Sequence, residues 1–285
     1  MITIGIPTFK RPELLKRAIY SVLKQENVEY QIFVSVDGNR DQIEGYLKIE
    51  NFFSSYKNVA FYFHNENIGS LKNFLFLINS CKTKYFMWLT DDDEISANYF
   101  DSLLDLLEKQ KDVVTAVPYW IRVNEKQDIE LVKPSNFPYK SIFRRLISYC
   151  DETDDVFFYG LHRTEILKNC SFKGYSWPNK GSLSNWCYVF QMDLILQGKI
   201  QLTEDKNCQW INHDYGMKFY PQSSSKKFIK NITYSLRRLN IYYLYLRKIL
   251  KWKQYLFFLV FMFLFPYFFM RDIIFGEKIS KKINL

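Results

Sequence analysis

Tyr85-Phe86-Met87-Trp88-Leu89-Thr90-Asp91-Asp92-Asp93-Glu94 joins an apolar, aromatic run directly to a cluster of carboxylates. An uncharged run of this length, bounded by charge, reads as a buried strand, which puts the acids at its carboxyl end. Acids gathered so closely repel one another and need a counter-ion. In open α/β sheets the carboxyl ends of the strands are where ligands bind. Oxygen-only donors at such an edge suit Mg²⁺ or Mn²⁺, and an ion held there carries the phosphates of a nucleotide. A solvated acidic turn capping the next helix is the plainer reading, since Asp and Glu favour helix starts. One Asp suffices for a cap, and three in succession after a buried strand favour the metal.

The flanking sequence alternates strand and helix patterns. Upstream, Ile2 to Ile6 is a short apolar run ended by Pro7, and Glu13 to Lys24 carries Leu14, Leu15, Ala18, Ile19, Val22 and Leu23 at helical spacing. Tyr30 to Val36 reads as a strand ending in the turn Asp37-Gly38-Asn39. Asp41 to Tyr56 reads as a helix, Val59 to His64 as a strand, and Asn67-Ile68-Gly69 as a turn opening a helix from Ser70 to Cys81. Downstream, a helix over Asn98 to Lys109 is followed by a strand over Val113 to Val123, a loop or hairpin over Gln127 to Pro138, and a short helix over Ser141 to Tyr149. Val156 to His162 reads as a strand with a helix start at Thr164-Glu165. A Gly, Trp and Pro-rich loop, Lys173 to Ser182, precedes a helix over about Leu183 to Gln197. This order predicts an α/β fold, a mostly parallel mixed sheet covered by helices on both faces. Parallel strands then bring Pro7-Thr8-Phe9-Lys10-Arg11, Asp37-Gly38-Asn39-Arg40 and Asp91-Asp92-Asp93 to one edge.

With 48% hydrophobic residues over 285 positions the chain has ample material for a core, which excludes a disordered protein. The net charge of +9 belongs to the tail: from Lys226 onward Lys and Arg recur, and the only acids are Asp272 and Glu277. The basic residues accompany an apolar tail and not a groove-sized patch, which argues against nucleic acid as a partner. Cys81, Cys150, Cys170, Cys187 and Cys208 are scattered and odd in number, and read as reduced thiols in a cytosolic setting. No secretion signal opens the sequence.

Several of these segments together resemble family 2 glycosyltransferases of the nucleotide-sugar-binding GT-A fold, over roughly residues 1 to 215. Ile4-Gly5-Ile6-Pro7-Thr8-Phe9-Lys10-Arg11 resembles the family's first-strand motif, in which the aromatic after Pro-Thr lies beside the base; Lys10 stands where Asn is usual. Arg17 to Gln25 is similar to the first-helix pattern. Val34-Ser35-Val36-Asp37-Gly38 resembles the strand whose terminal Asp contacts the base, and Asn65-Glu66-Asn67-Ile68-Gly69 the Asn-x-Gly turn.

The resemblance implies an inverting transfer of sugar from a nucleotide-sugar donor, with Pro7, Thr8, Phe9, Asp37, Asn67, Gly69 and Asp91 on the donor. Arg11 and Lys72 are further cationic candidates for it. The family's Asp-x-Asp motif fits Leu89-Thr90-Asp91-Asp92-Asp93 in two registers, one giving the metal to Asp92, the other to Asp91 and Asp93. The assignment favoured here puts Asp92 and Asp93 on the Mg²⁺ or Mn²⁺ ion, with Asp91 facing the donor.

The relatives' catalytic base, an Asp or Glu, falls at Asn185. An amide cannot accept a proton as a base, so either the register differs or another carboxylate serves, Asp193 and the group Asp151, Glu152, Asp154 and Asp155 being the alternatives. Trp210-Ile211-Asn212-His213 resembles the aromatic-x-x-His segment that closes the domain, where His213 completes the metal shell, touches the phosphates, or is structural. A domain that binds a nucleotide-sugar without turning it over, as a partner in a membrane glycan-assembly complex, is the competing reading.

The expected division is a catalytic domain over 1–220 and a basic, aromatic helical region over 221–285. Tyr255 to Met270 carries no charge, yet it is shorter than the roughly 20 residues a spanning helix needs and is interrupted by Pro266. Phe228 to Trp252 mixes Arg and Lys with Ile, Leu, Tyr and Trp, as interfacial helices do. The sequence therefore predicts association with the cytoplasmic face of the cell membrane and a lipid-linked glycan as acceptor.

Overall fold

The computed structural model describes residues 1–38, 43–124, 127–151, 156–170 and 186–213. The loop 173–182, Asn185 and the tail 221–285 lie outside them. Among the described residues no helix is long and apolar enough to cross a membrane.

The carboxylate-bearing strand sits where the apolar run predicts. Strand β4 (Tyr85–Trp88) is buried throughout and lies beside β1 (Ile2–Thr8), also wholly buried, with β2 (Tyr30–Val36) and the edge strand β3 (Val59–Phe63) beyond. All four run parallel, with Gly5 opposite Trp88 and Thr8 opposite Val36. Continuous apolar sequence is what a strand covered on both faces requires. Only β3 alternates, leaving Ala60 and Tyr62 exposed, as one face of an edge strand permits.

Helices α1 (Pro12–Leu23), α2 (Ile43–Phe52), α3 (Ser70–Ser80) and α4 (Tyr99–Lys109) cover this sheet. Leu15, Ala18, Ile19 and Val22 of α1, and Tyr99, Phe100, Leu103 and Leu107 of α4, form the buried stripes that their spacing predicts. In the core the Trp88 ring stacks on Phe158 at 4.7 Å and meets Phe190 edge-on at 5.7 Å.

The second half departs from the sequence reading in three places. Val113 to Val123 is not one strand: β6 (Val113–Val117) belongs to the main sheet and β7 (Tyr119–Val123) to another, the break falling at Pro118. Proline has no N–H to continue a ladder, and Tyr119 N–H instead donates to Cys208 O at 2.9 Å. Val156 to His162 divides into a 3₁₀ turn (Val156–Tyr159) and a short strand β9 (Leu161–Arg163), antiparallel to both β4 and β6. A short apolar run does not distinguish strand from turn by spacing alone. Helix α7 (Trp186–Gln197) ends at Gln197 as the sequence predicts, but the strand β10 (Lys199–Leu202) that follows Gly198 is absent from that reading. The main sheet has the order β10-β6-β9-β4-β1-β2-β3.

A second sheet was not anticipated. It joins β5 (Glu94–Ile95), β11 (Gln209–His213), β7 and β8 (Ile129–Val132), in that order. Antiparallel pairing of Trp210 with Ile95 and Ile211 with Glu94 brings β11 against the acid run. Helices α5 (Ile142–Asp151) and α6 (Thr164–Lys168) complete the described elements.

Candidate active site

Parallel register places the ends of β1, β2 and β4 together. Asp37 N–H donates to Thr8 O at 2.9 Å, and Leu89 N–H to Gly5 O at 3.1 Å, so the Thr8–Arg11 loop lies between Asp37 and the acid run. There the four acids divide into two halves with different partners.

Asp91 and Asp92 turn towards the first loop. The Arg11 guanidinium spans them, Nη1 lying 2.5 Å from Asp92 Oδ2 and Nη2 2.6 Å from Asp91 Oδ1. Asp91 is fully buried and its Oδ2 accepts from Thr8 Oγ1 at 2.6 Å. Thr8 spends its one proton on that carboxylate, so the Tyr46 hydroxyl, 2.9 Å away, donates to Thr8 and itself accepts from Arg11 N–H at 3.0 Å. The chain of donors therefore runs from the Arg11 backbone through Tyr46 and Thr8 to Asp91. Burial raises the Asp91 pKa to about 7, against the opposing effects of Thr8 and Arg11. Among the described residues Asp91 Oδ1 makes no hydrogen bond, its one ion pair being with Arg11 Nη2.

Asp93 and Glu94 turn the other way, onto β11. Asp93 accepts from Thr90 Oγ1, from Asn212 Nδ2 at 2.9 Å and from Trp210 Nε1 at 3.2 Å. Burial and the Asp92 charge raise its pKa to about 7 as well. Glu94 Oε1 receives Arg17 Nε at 2.9 Å and His213 Nε2 at 2.8 Å, and Arg17 Nη2 also donates to Asp92 O at 2.8 Å. The structure thus brings Asp91 and Asp92 together on one cation, with Asp93 engaged by β11 and His213 paired with Glu94.

The donor-side residues of β2 and α3 form a second cluster. Asp37 is buried, and its two oxygens accept from Ile68 N–H at 2.7 Å and Gly69 N–H at 3.1 Å, which ties the β3–α3 loop to the strand end. Asn67 Oδ1 also accepts from Gly69 N–H, at 2.9 Å, and Gly69 takes a φ of 83° that glycine adopts freely. Lys72 is exposed on the first turn of α3. Pro7 is buried in β1, opposite Ser35. Phe9 is half-buried just beyond it, with Lys10 Nζ 5.1 Å from its ring centre. Lys10 has a φ of 60°, a conformation that Asn tolerates best among non-glycine residues, which accounts physically for Asn being usual at this position. Asp193 is half-buried on α7, and Asn185 lies outside the described residues.

Tyr46 and Arg17 are the contributors that spacing alone does not reveal. A Tyr on an amphipathic helix reads as core. Only the structure singles it out: Tyr46 is the one buried residue of α2, while the helix's other apolar residues are half or fully exposed.

Among the described residues no group of three or more His, Cys, Asp or Glu side chains is placed to hold a metal ion unaided. Mg²⁺ in phosphate-handling sites needs only one or two carboxylates, the substrate phosphates supplying further oxygens. The buried Asp91 beside Asp92, the two sharing the Arg11 guanidinium, meets that requirement.

Known proteins resemble this chain in sequence and in fold. An uncharacterized glycosyltransferase of Rickettsia typhi is 29% identical over 136 residues, covering 47% of this chain and 41% of that protein; another of Rickettsia felis is 29% identical over 138 residues, covering 48% and 22%. The matches span under half of these curated relatives. Staphylococcus aureus TarS 1–349 in complex with UDP-GlcNAc superposes with a TM-score of 0.58 at 16% identity, over 84% of this chain and 66% of that one. This likeness shows the GT-A fold. The family model for glycosyl transferase family 2 matches residues 3–170. That span contains β1 to β4, the Asp37 loop, Arg11 and the whole acid run, and on it the chain belongs to glycosyl transferase family 2.

Proposed function

We propose that this glycosyltransferase moves a sugar from a UDP-sugar, with inversion, to a hydroxyl of a lipid-linked or cell-surface glycan at the cytoplasmic face of the membrane. The observation that carries the donor half is the fully buried Asp91 beside Asp92, both held on the Arg11 guanidinium, at the shared carboxyl ends of β1, β2 and β4. TarS solved with UDP-GlcNAc and with UDP supports the choice of nucleotide. The acceptor half is supported by sequence alone, through the uncharged run Tyr255 to Met270 beside the basic Phe228 to Trp252.

In this reading Thr8 and Tyr46 hold the Asp91 carboxylate in one orientation, and Asp92 stands beside it. Because Asp93 is engaged by Trp210 and Asn212 and His213 by Glu94, the ion moves from the Asp92–Asp93 pair favoured in the sequence to Asp91 and Asp92, where Mg²⁺ or Mn²⁺ would supply Lewis-acid stabilisation of the departing diphosphate. Asp37 fixes the turn at Ile68 and Gly69 that flanks the base side, and Phe9 offers an aromatic face there. Holding the donor rigidly between these loops keeps its anomeric carbon in line for the acceptor hydroxyl, a large part of the expected rate.

Chelation tests the reading. Radiolabelled sugar transfer from UDP-sugars should fall by on the order of 100-fold or more in EDTA, and return with Mg²⁺ or Mn²⁺. Transfer undiminished by EDTA removes the ion; binding of UDP without any turnover favours the non-catalytic partner. Gly38 offers a second check. A Cβ there would sit 2.6 Å from Glu66 N, a backbone atom that cannot yield, and would push the Glu66–Gly69 turn away from Asp37. Gly38→Ala should cost about 1–3 kcal/mol of stability and weaken UDP binding measured by calorimetry. Undiminished affinity would separate this turn from the donor.

A further inference from the structure

We infer that Arg11 is a resident counter-ion of the donor site: it neutralises Asp91 and Asp92 while the site is empty, and releases them for the diphosphate when nucleotide and divalent ion arrive together. The inference rests on the reading above that the site takes a nucleotide with Mg²⁺ or Mn²⁺. The Arg11 guanidinium has two ion pairs among the described residues, with Asp91 Oδ1 and Asp92 Oδ2, and these oxygens belong to the carboxylates assigned to the ion. Guanidinium and ion therefore compete for one position.

The geometry favours exchange over permanent pairing. Arg11 neutralises Asp91 through space yet leaves Oδ1 without a hydrogen bond, whereas a spherical cation has no directional demand on that lone pair. The Asp91 side chain is fully buried and held by Thr8, while that of Arg11 is 43% exposed. The backbone at Arg11 is anchored, its N–H on the Tyr46 hydroxyl, so the movement required is confined to the long side chain. Charge decides the order of events. A divalent ion entering alone would meet a guanidinium at the oxygens it needs, and like charges a few ångströms apart repel. Diphosphate entering with the ion gives the planar Arg11 guanidinium a pair of phosphoryl oxygens to bind through two parallel N–H donors. Ion and nucleotide should thus bind with strong positive coupling, and Arg11 should be its source.

Mn²⁺ titration of the 285-residue chain, followed by the electron paramagnetic resonance signal of free Mn²⁺, tests this. Arg11→Met, which keeps the apolar stem and removes the charge, should bind Mn²⁺ alone at least ~10-fold more tightly than the parent. Adding UDP should tighten Mn²⁺ binding markedly in the parent and much less in the variant. Arg11→Gln should repeat the result, and Arg11→Lys should behave like the parent. If the parent binds Mn²⁺ with UDP, and Arg11→Met and Arg11→Gln bind Mn²⁺ alone no more tightly than the parent binds it alone, the inference fails while the donor reading stands. If neither parent nor variants bind Mn²⁺ even with saturating UDP, whose own binding is followed by calorimetry, the metal reading fails and takes the inference with it.

Discussion

Asp91→Asn should abolish most sugar transfer while leaving the fold as stable as before, or more so. The carboxylate is fully buried and its pKa stands at about 7, so at pH 8 the folded protein carries a charge that burial disfavours. An amide removes that charge at nearly constant volume, and its Oδ1 can still accept from Thr8, 2.6 Å away in the parent. The released Arg11 is not stranded, being 43% exposed and still paired with Asp92 at 2.5 Å. Activity has no such substitute. One of the two charges that would face the proposed cation is gone, and a loss of several kcal/mol of transition-state stabilisation corresponds to a rate lower by on the order of 10³-fold.

The neighbour should behave oppositely. Asp93→Ala leaves Trp210 Nε1 and Asn212 Nδ2 without their acceptor, at about 1–3 kcal/mol for each buried group, so its melting temperature should drop first. Thermal melts beside initial rates read both. An Asp91→Asn protein that transfers sugar at the parental rate, or that melts well below it, would return Asp91 to a structural role. The pairing of lost rate with retained stability is the signature expected of a site that holds unfavourable charge for its function.

Much of this was legible in the chain because it depends on neighbours in sequence. Leu15, Ala18, Ile19 and Val22 announce a helix face, and Tyr85 to Trp88 a buried strand, whatever lies around them. The convergence of Thr8, Asp37 and Asp91 follows from parallel pairing, which alternation of strands and helices already implies. Direction within the acid run was not legible. Four consecutive acids look equivalent in sequence, and only the pairing of β11 with β5, between residues more than a hundred positions apart, shows that Asp93 and Glu94 are engaged by Trp210, Asn212 and His213. Long separation in sequence also hid the second sheet, since Gln209–His213 pairs with Tyr119–Val123, which reads in sequence as the end of a single strand over Val113 to Val123. Pro118 was the one local sign that Val113 to Val123 is two strands.

His162 should give the fold a measurable acid sensitivity that has nothing to do with the active site. The ring is fully buried, with Trp88 and Phe190 ring centres each 6.0 Å away. Phe158 O, 3.0 Å from Nε2, can only accept, so Nε2 carries the proton and Nδ1 accepts from Thr115 Oγ1 at 2.9 Å. That is a neutral imidazole with both nitrogens satisfied. Burial lowers its pKa from 6.5 to about 4, against the smaller raising effect of the Phe158 carbonyl. In the unfolded chain the ring takes up its proton near pH 6.5, while the folded protein resists until about pH 4. Between those values the unfolded state binds more protons, so stability is full above pH 6.5 and is lost progressively down to pH 4, by roughly 3 kcal/mol in all. Asp91 and Asp93 act in the opposite sense, since acids whose pKa is raised to about 7 favour the folded state at low pH and lose that contribution as pH rises towards 7. The total pH profile therefore mixes opposing slopes, and the diagnostic quantity is a difference. His162→Gln can keep a donor towards Phe158 O and an acceptor towards Thr115, with no proton to gain. Urea unfolding of parent and variant from pH 7.5 to 4.5 should show the parent's advantage at neutral pH shrinking steadily as the medium is acidified, because the carboxylate contributions are common to both and cancel. A difference that stays constant over that range would mean that the imidazole takes up its proton inside the fold as readily as in the unfolded chain, and would overturn the effect assigned to its burial between Trp88 and Phe190.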